Sequence, residues 1–444
     1  MDFITGFKRK ETCEINDIRK MDLSDTVKIN GAIHTIRDMG EFAFIVLRKR
    51  EGLIQCVYEE GTTICPLKDL KEGMTVVAEG ILHNEERAPQ GFELRLKDVK
   101  VLSSPMEGAM MPVPISKWKM KTSLETKLNY RPVSLRNIRE RAVFKIQEGI
   151  VRGFREFMYS QDFTEIRTPK LVAGNAEGGA NVFKLEYFGR KAFLAQSPQF
   201  YKQTMVGVFD RVFEAAPVFR AEKHNTTRHL NEYTSLDFEM GFIEGFEDIM
   251  EMETELLRYV FRMLKDEYLK ELTLLDVKLP EVKRIPSVRF DVAKQMAAEK
   301  YGRKIRNPYD REPEEEVLIG RYFKEEYGSD FVYVTHYPSK KRPFYAMDDP
   351  EDPKFTLSFD LLFKGMEITT GGQRIHDYKE QVAKMKARGM EPEEFNDFLM
   401  IHKHGMPPHG GLGIGLERLT MKLVDASNVR ETTLFPRDVT RLAP

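Results

Sequence analysis

Between Phe219 and Phe242 the chain reads FRAEKHNTTRHLNEYTSLDFEMGF, and its middle concentrates Arg220, Glu222, Lys223, His224, Arg228 and His229 ahead of Asp237 and Glu239. Leu236, Phe238 and Met240 alternate with those two acids, which is the period of a half-buried strand. The polar AEKHNTTRH run interrupts that alternation, so the segment reads as strand, loop and antiparallel strand. An arginine before the loop and carboxylates after it suit a ligand with a phosphate at one end and an amine at the other. Taken alone, a charged hairpin of this kind is more often a salt-bridged surface turn.

A second segment reverses that preference. GGLGIGLERLTMKL, from Gly410 to Leu423, sets four glycines at adjacent or alternating positions before Arg418 and then turns helical. Glycines let a backbone pass close to a flat ligand, and a strand-to-helix junction can hold it. In this order the two segments resemble motifs 2 and 3 of class II aminoacyl-tRNA synthetases. Upstream, FTEIRTPKLV, with Pro169 ending a strand after a long helical stretch, resembles motif 1.

Activating an amino acid with ATP requires that a carboxylate and an α-phosphate be held together, that the pentavalent phosphorus be stabilised and that the leaving pyrophosphate be neutralised. Fixed cations serve all three. The resemblance implies that Arg220 bridges α-phosphate and carboxylate, and that Glu222 meets the adenine amino group. It places Arg228, His229 and Leu230 beside the nucleotide, with Gly415 and Arg418 of motif 3 there too and Arg418 facing the γ-phosphate. A guanidinium suits such positions because its fork matches phosphate oxygens and never deprotonates. Asp360 and Glu367 lie seven apart around a Lys-Gly turn in SFDLLFKGMEITTGGQR, so they are expected on adjacent strands. The resemblance implies that these acids, with Thr370, hold Mg²⁺, a hard cation that takes one or two carboxylates plus phosphate oxygens.

QSPQFYKQ, from Gln196 to Gln203, resembles the aspartyl members of the class, in which the lysine matching Lys202 pairs with the substrate's side-chain carboxylate; asparaginyl relatives usually lack it. Arg374 would supply a second cation. Two permanent charges around a small pocket suit an acid, since asparagine would leave them buried and unpaired at a cost of several kcal/mol. Gln199, Asp237 and Glu239 fall where the family handles the α-amino group, Thr370 stands where relatives commonly have serine, and Glu177 matches an acid on a loop that closes over aspartate. The short chain and its FPRDVTRLAP ending resemble the archaeal-type branch, which also occurs in some bacteria. The resemblance also implies a two-fold homodimer with Pro169 at or near the contact.

The elements that must position these residues divide the chain. VKINGAIHTI, FAFIVLRK, GLIQCVY, TVVAEGILH and FELRLKDVKVL carry β-branched and aromatic residues at strand spacing between Thr26 and Ser103. Such a set fits a small closed barrel, of which the OB-fold is the commonest that binds nucleic acid. SSPMEGAMMPVPISKWKMK follows as a linker with a basic end at Lys117, Lys119 and Lys121. Ile138, Ala142, Ile146, Ile150 and Phe154 then recur every fourth position, the stripe of an amphipathic helix. The fold expected is α/β (α+β): a five-stranded OB-fold barrel over 1–104, a hinge over 105–133, and over 134–444 a catalytic domain built on an antiparallel sheet flanked by helices. The charged stretch from about Asp248 to Glu326 reads as an insertion or a helical layer around that sheet.

In the barrel, Arg37, Phe44 and Gln55 match anticodon-reading positions; an aromatic there can stack a base for ~1–3 kcal/mol while Gln reads its edge. His34 and Pro89 match the pattern of branch members that accept the asparagine tRNA as well as the aspartate tRNA. Those that charge the aspartate tRNA alone tend to have tryptophan and lysine there. The expected partners are therefore tRNA(Asp), tRNA(Asn), aspartate and ATP.

Composition is compatible with this. Of 444 residues, 69 are Lys or Arg and 70 are Asp or Glu, so any nucleic-acid contact must come from local patches. Cys13, Cys56 and Cys65 form no CxxC pair, which disfavours zinc and a disulfide framework and points to a reducing cytoplasm. No signal peptide is read at the N-terminus, and no apolar run approaches the ~20 residues of a membrane span. Three rivals stay open: a strictly discriminating aspartyl enzyme, an asparaginyl enzyme, against which Lys202 argues, and a non-catalytic paralogue, which would usually have lost a phosphate arginine or a metal acid. A P-loop ATPase is excluded because no GxxxxGK[ST] occurs.

Overall fold

In the computed structural model the alternating segments near the N-terminus form five strands: β1 (Thr26–Asp38), β2 (Phe42–Lys49), β3 (Gly52–Glu59), β4 (Thr75–Asn84) and β5 (Phe92–Ser103). They close into a barrel in the order β1-β2-β3-β5-β4, every pairing antiparallel except β3 with β5. Alternate residues such as Ile29, Ile45, Ile54, Val76 and Leu94 point inward and are essentially inaccessible, which is how period-2 sequences make a core. Cys56 lies in that core, where burial pushes its thiol up to about 12; it is inert packing. The structure describes all residues except 1, 2, 5, 9, 174–180, 225 and 444. The chain separates into two compact units, Met1–Glu140 and Arg141–Pro444. Within the first, the proline- and methionine-rich segment packs Val113, Ile115 and Met120 into a small cluster, and the Asn137 amide donates to the Ile115 and Lys117 carbonyls.

The second unit contains β6 (Thr164–Glu165), β7 (Leu171–Val172), β8 (Lys184–Tyr187), β9 (Arg190–Leu194), β10 (Arg211–Phe219), β11 (Glu232–Gly241), β12 (Ser287–Arg289), β13 (Phe331–Thr335), β14 (Ser358–Phe363), β15 (Met366–Arg374) and β16 (His409–Gly415). Eight of them form one sheet, ordered β12-β13-β14-β15-β16-β11-β10-β6, antiparallel except at its two outer pairs; β7, β9 and β8 form a small separate sheet. Helix α1 (Ile138–Ser160) carries the expected stripe, with Ala142, Ile146, Ile150 and Phe154 buried. Helix α2 (Gln199–Phe209) precedes β10, and α3 (Glu247–Glu267) packs on α1, where Gly149 and Gly153 admit Leu264 and Met263. Together with α4 (Phe290–Tyr301) and α5 (Pro313–Tyr327), α3 makes the charged stretch a helical layer rather than an inserted domain. Helix α6 (Leu416–Leu423) follows β16 directly.

Candidate active site

The expected strand–loop–strand is the β10–β11 hairpin, paired from Arg211 with Met240 to Phe219 with Glu232. β11 lies against β16, and that register puts Asp237 opposite Gly413 and Glu239 opposite Gly411. The alternating glycines therefore have a second use. A Cβ on Gly411 would lie 2.1 Å from Glu239 Oε2 and one on Gly413 3.0 Å from Asp237 Oδ1, so these two glycines make room for carboxylates, whereas a Cβ on Gly415 would meet only ordinary contacts at 3.8 Å and beyond.

Above this floor is a cavity of about 520 Å³ that brings together Gln199, Lys202, Arg220, Glu222, Arg228, His229, Leu230, Asp237, Glu367, Thr370, Arg374, Gly415 and Arg418. At its deep end Lys202, on α2 and 2% exposed, donates from Nζ to Asp237 Oδ1 at 2.9 Å and to the Leu412 carbonyl at 2.7 Å, with Glu239 Oε2 at 3.4 Å. Arg374 on β15 donates from Nε to Glu239 Oε1 at 2.8 Å, and from Nη2 to the Gly411 carbonyl at 3.0 Å and Gln199 Oε1 at 3.3 Å. Burial pushes the Glu239 carboxyl up, yet Arg374 and Lys202 hold it below its ordinary value. The two cations expected from the sequence are thus already paired with the two acids expected from it. Asp237 Oδ2 is buried and accepts no hydrogen bond from any of the described residues. A preassembled, nearly neutral cluster of buried charges contributes little to stability and is best explained by a ligand. His409 beside it is pushed down to about 4, chiefly by burial, and is neutral at physiological pH.

Towards the cavity mouth the loop after β10 is tied back on itself. The Arg220 N–H bonds the Asn231 carbonyl, while the Asn231 amide donates to the Arg220 and Glu222 carbonyls. Arg228 Nη2 donates to Glu316 Oε2 at 2.7 Å, and Arg418 donates to the Arg228 and Glu367 carbonyls, both at 3.3 Å. His229 lies with Nε2 3.6 Å from Glu222 Oε2, its pKa lowered by burial and by Arg418. Leu230 packs with Met421 and Val429, fixing the end of the loop on α6.

Asp360 and Glu367 do lie on adjacent strands, and Asp360 is directly opposite Thr370. Among the described residues no group of three or more His, Cys, Asp or Glu side chains converges as a metal site. Two hard oxygen donors beside a cleft nevertheless fit Mg²⁺ that takes its remaining ligands from phosphates and water. Three residues of this network were missed from sequence. Arg342 Nη2 donates to Asp360 Oδ1 at 2.7 Å, Arg311 Nη2 donates to Asp360 Oδ2 at 3.1 Å and to Glu367 Oε2 at 2.9 Å, and Glu316 holds Arg228. They come from irregular segments and from α5, which carry no motif. Asp360 is held below its ordinary value by Arg342 and Arg311 against the effect of burial, whereas burial and Asp360 push Glu367 up.

Glu177 lies outside the described residues. Pro169 is exposed between β6 and β7, in a segment braced by Thr168 and Lys170, both bonded to Glu214. On the barrel, Arg37, Phe44 and Gln55 line one cleft of about 840 Å³. The Arg37 guanidinium stacks 5.0 Å from the Phe44 ring and donates to Gln55 Oε1 at 3.0 Å, and Gln55 in turn donates to the buried Glu93. Phe44 faces this cleft and not the barrel core. His34 and Pro89 do not line it. His34 is the extra residue of a bulge between Ile33 and Thr35, buried with Nδ1 3.3 Å from Arg48 Nη1, and Pro89 is exposed in the β4–β5 turn. Among the described residues, no helix is long and apolar enough to cross a membrane.

The antiparallel sheet, the arginines of β10–β11 and α6, and the barrel together define a class II aminoacyl-tRNA synthetase architecture. Residues 123–439 match the family of class II tRNA synthetases (D, K and N), and residues 27–102 match the OB-fold nucleic acid binding domain, so the chain belongs to that class II family. It is 46% identical to an aspartate–tRNA(Asp/Asn) ligase of Deinococcus radiodurans, over 94% of this chain and 96% of that one. It is 40% identical to an aspartate–tRNA(Asp) ligase of Pyrococcus horikoshii, over 99% of each. It superimposes with a TM-score of 0.87 on the asparaginyl-tRNA synthetase of Pyrococcus horikoshii complexed with asparaginyl-adenylate, at 30% identity, covering 95% of this chain and 97% of that chain.

Proposed function

We propose that this enzyme is an aspartate–tRNA ligase that activates aspartate with ATP and transfers it to both tRNA(Asp) and tRNA(Asn). The observation that carries the amino acid is Lys202, fully buried at the closed end of the cavity and within reach of Arg374's partner Glu239. An aspartate side chain shares these two cations with Asp237 and Glu239, while its ammonium takes the open acceptor Asp237 Oδ2. An asparagine amide presents its N–H₂ to at least one of two groups that are themselves only donors, leaving a buried donor unpaired. Arg220 then bridges carboxylate and α-phosphate, so that the attacking oxygen meets phosphorus without a repulsive encounter. Arg228 and Arg418 take the outer phosphates, Glu222 the adenine amine, and neutral His229 stays on the nucleotide side without adding charge. Asp360, Glu367 and Thr370 would hold Mg²⁺, which when bound neutralises the departing pyrophosphate. In the barrel, Arg37, Phe44 and Gln55 receive the anticodon.

Charging of both tRNAs is proposed from His34 and Pro89. The bulge that carries His34 re-aims this part of β1, and bulges are common beside binding sites. The functional molecule is a cytoplasmic homodimer with Pro169 at or near the two-fold contact, and its domains run over 1–104, 105–133 and 134–444. Aspartate-dependent pyrophosphate exchange, followed by aspartylation of each purified tRNA, tests the two parts separately. Exchange with asparagine but not aspartate would overturn the amino-acid assignment. A catalytic efficiency on tRNA(Asn) thousands-fold below that on tRNA(Asp) would overturn dual charging and leave the first part standing.

A further inference from the structure

Arg311 occupies an unusual position. One nitrogen of its guanidinium, Nη2, touches both Asp360 Oδ2, at 3.1 Å, and Glu367 Oε2, at 2.9 Å. Its Nε lies 3.5 Å from Glu316 Oε1 and its Nη1 donates to the Tyr337 hydroxyl. The side chain is only 5% exposed. The segment that carries it is pinned. Lys294 of α4, itself 2% exposed at its side chain, donates to the Asn307 and Asp310 carbonyls and pairs with Glu315 at 2.9 Å, while Lys341 pairs with Asp310 at 2.7 Å. Immediately after Arg311, Glu312 and Glu315 form a capping box that starts α5. The arginine is therefore placed by ion pairs and hydrogen bonds on either side of it, the Lys294–Glu315 pair being buried.

We propose that Arg311 is a built-in counter-cation that occupies the divalent-metal position of the unliganded enzyme and has to be displaced for Mg²⁺ to enter. The proposal rests on the reading of Asp360 and Glu367 as the metal-holding pair. A metal ion sits ~2.1 Å from each oxygen it ligates. A guanidinium nitrogen bonded to one oxygen of each acid covers the face they share, so ion and nitrogen exclude each other there. Charge acts in the same direction. Arg311 and Arg342 already balance the two carboxylates, and Glu316 is taken by Arg228, so a free divalent cation meets a site with almost no net attraction. Polyphosphate brings the missing negative charge. Metal entry is thereby tied to nucleotide entry, and the two acids are kept from collecting metal, or repelling each other, while the cleft is empty. Arg311 is in this sense a positioning residue for the acids.

Mn²⁺ serves as a probe that can be counted without turnover, by the electron paramagnetic resonance signal of the free ion titrated against the full chain with no nucleotide. Arg311→Met should tighten Mn²⁺ binding at least about tenfold over the wild type, because a unit charge a few ångströms from the ion is removed. Arg311→Lys, which keeps the charge, should stay within about threefold of the wild type. Equal affinity of Arg311→Met and wild type overturns the proposal, as does equal tightening by both variants. Should Arg311→Met fail to fold, Arg311→Gln removes the same charge while keeping a polar donor beside the Tyr337 hydroxyl. It should tighten Mn²⁺ binding about tenfold, and no change there sinks the idea. Aspartate-dependent exchange by the wild type is run beside the titration. Its failure counts against the proposed function, whereas the Mn²⁺ comparison reads Arg311 either way.

Discussion

Lys202 is held by Asp237, the Leu412 carbonyl and Glu239, so replacing it acts on binding and on folding together. Lys202→Met removes the cation that an acidic substrate needs and also strands two buried carboxylates beside Arg374 alone. Aspartate-dependent pyrophosphate exchange is expected to fall by about 10³-fold or more, and stability by ~3–5 kcal/mol, the usual cost of breaking a buried ion pair on one side. Exchange kinetics and a thermal melt on the same sample check this; normal exchange would remove Lys202 from the pocket. The sequence names this lysine and Arg374 together, and the fold brings both to Glu239 in one cavity. From the sequence they are bare charges, because nothing in the local pattern says that Asp237 and Glu239 face them. The glycines teach the same lesson. Gly411→Ala is expected to cost ~1–3 kcal/mol and most of the activity through overpacking against Glu239, while Gly415→Ala meets only ordinary contacts. Melting both variants side by side distinguishes a carboxylate cradle from a general intolerance of side chains in β16.

At the scale of elements, the sheet that presents the site is held from behind by α3. Glu253 of that helix is fully buried and accepts the Thr369 hydroxyl at 2.5 Å, one residue from Thr370 on β15. Burial pushes its carboxyl up to about 8. A carboxyl whose pKa is higher folded than unfolded keeps its proton in the native state, so the fold loses stability as pH rises from about 4.5 towards 8. Glu253→Gln retains the acceptor for Thr369 and removes that penalty. It should raise Tm near pH 8 by at least about 2 °C and shift it much less at pH 5. Melting curves at the two pH values suffice; a gain that is equal at both would show that Glu253 is already ionised.

At the scale of the whole molecule, a change in the barrel is expected to separate tRNA charging from amino-acid activation in the catalytic unit. Phe44 is partly exposed in the cleft with Arg37 and Gln55, so Phe44→Ala should remove a stacking platform worth ~1–3 kcal/mol without disturbing the barrel core. Charging efficiency is expected to fall by about 10- to 100-fold while tRNA-independent exchange stays at wild-type rate. A parallel fall in exchange would make Phe44 a packing residue and end its assignment to the anticodon. A lone barrel phenylalanine is usually core, and its register opposite Arg37 is what sets this one apart.

The sequence by itself determined the elements and the kinds of groups they carry. Alternation in the barrel strands, the fourfold stripe of α1 and the glycine spacing before Arg418 are local patterns, and local sterics and burial read them directly. Only the tertiary structure decided which charges meet. Arg374 reaches Glu239 across 135 positions, Arg228 reaches Glu316 across 88, and Arg311 spans 49 to Asp360 and 56 to Glu367. Such pairings obey no period along the chain, because Coulombic attraction and desolvation depend on distance in space and on depth below the surface.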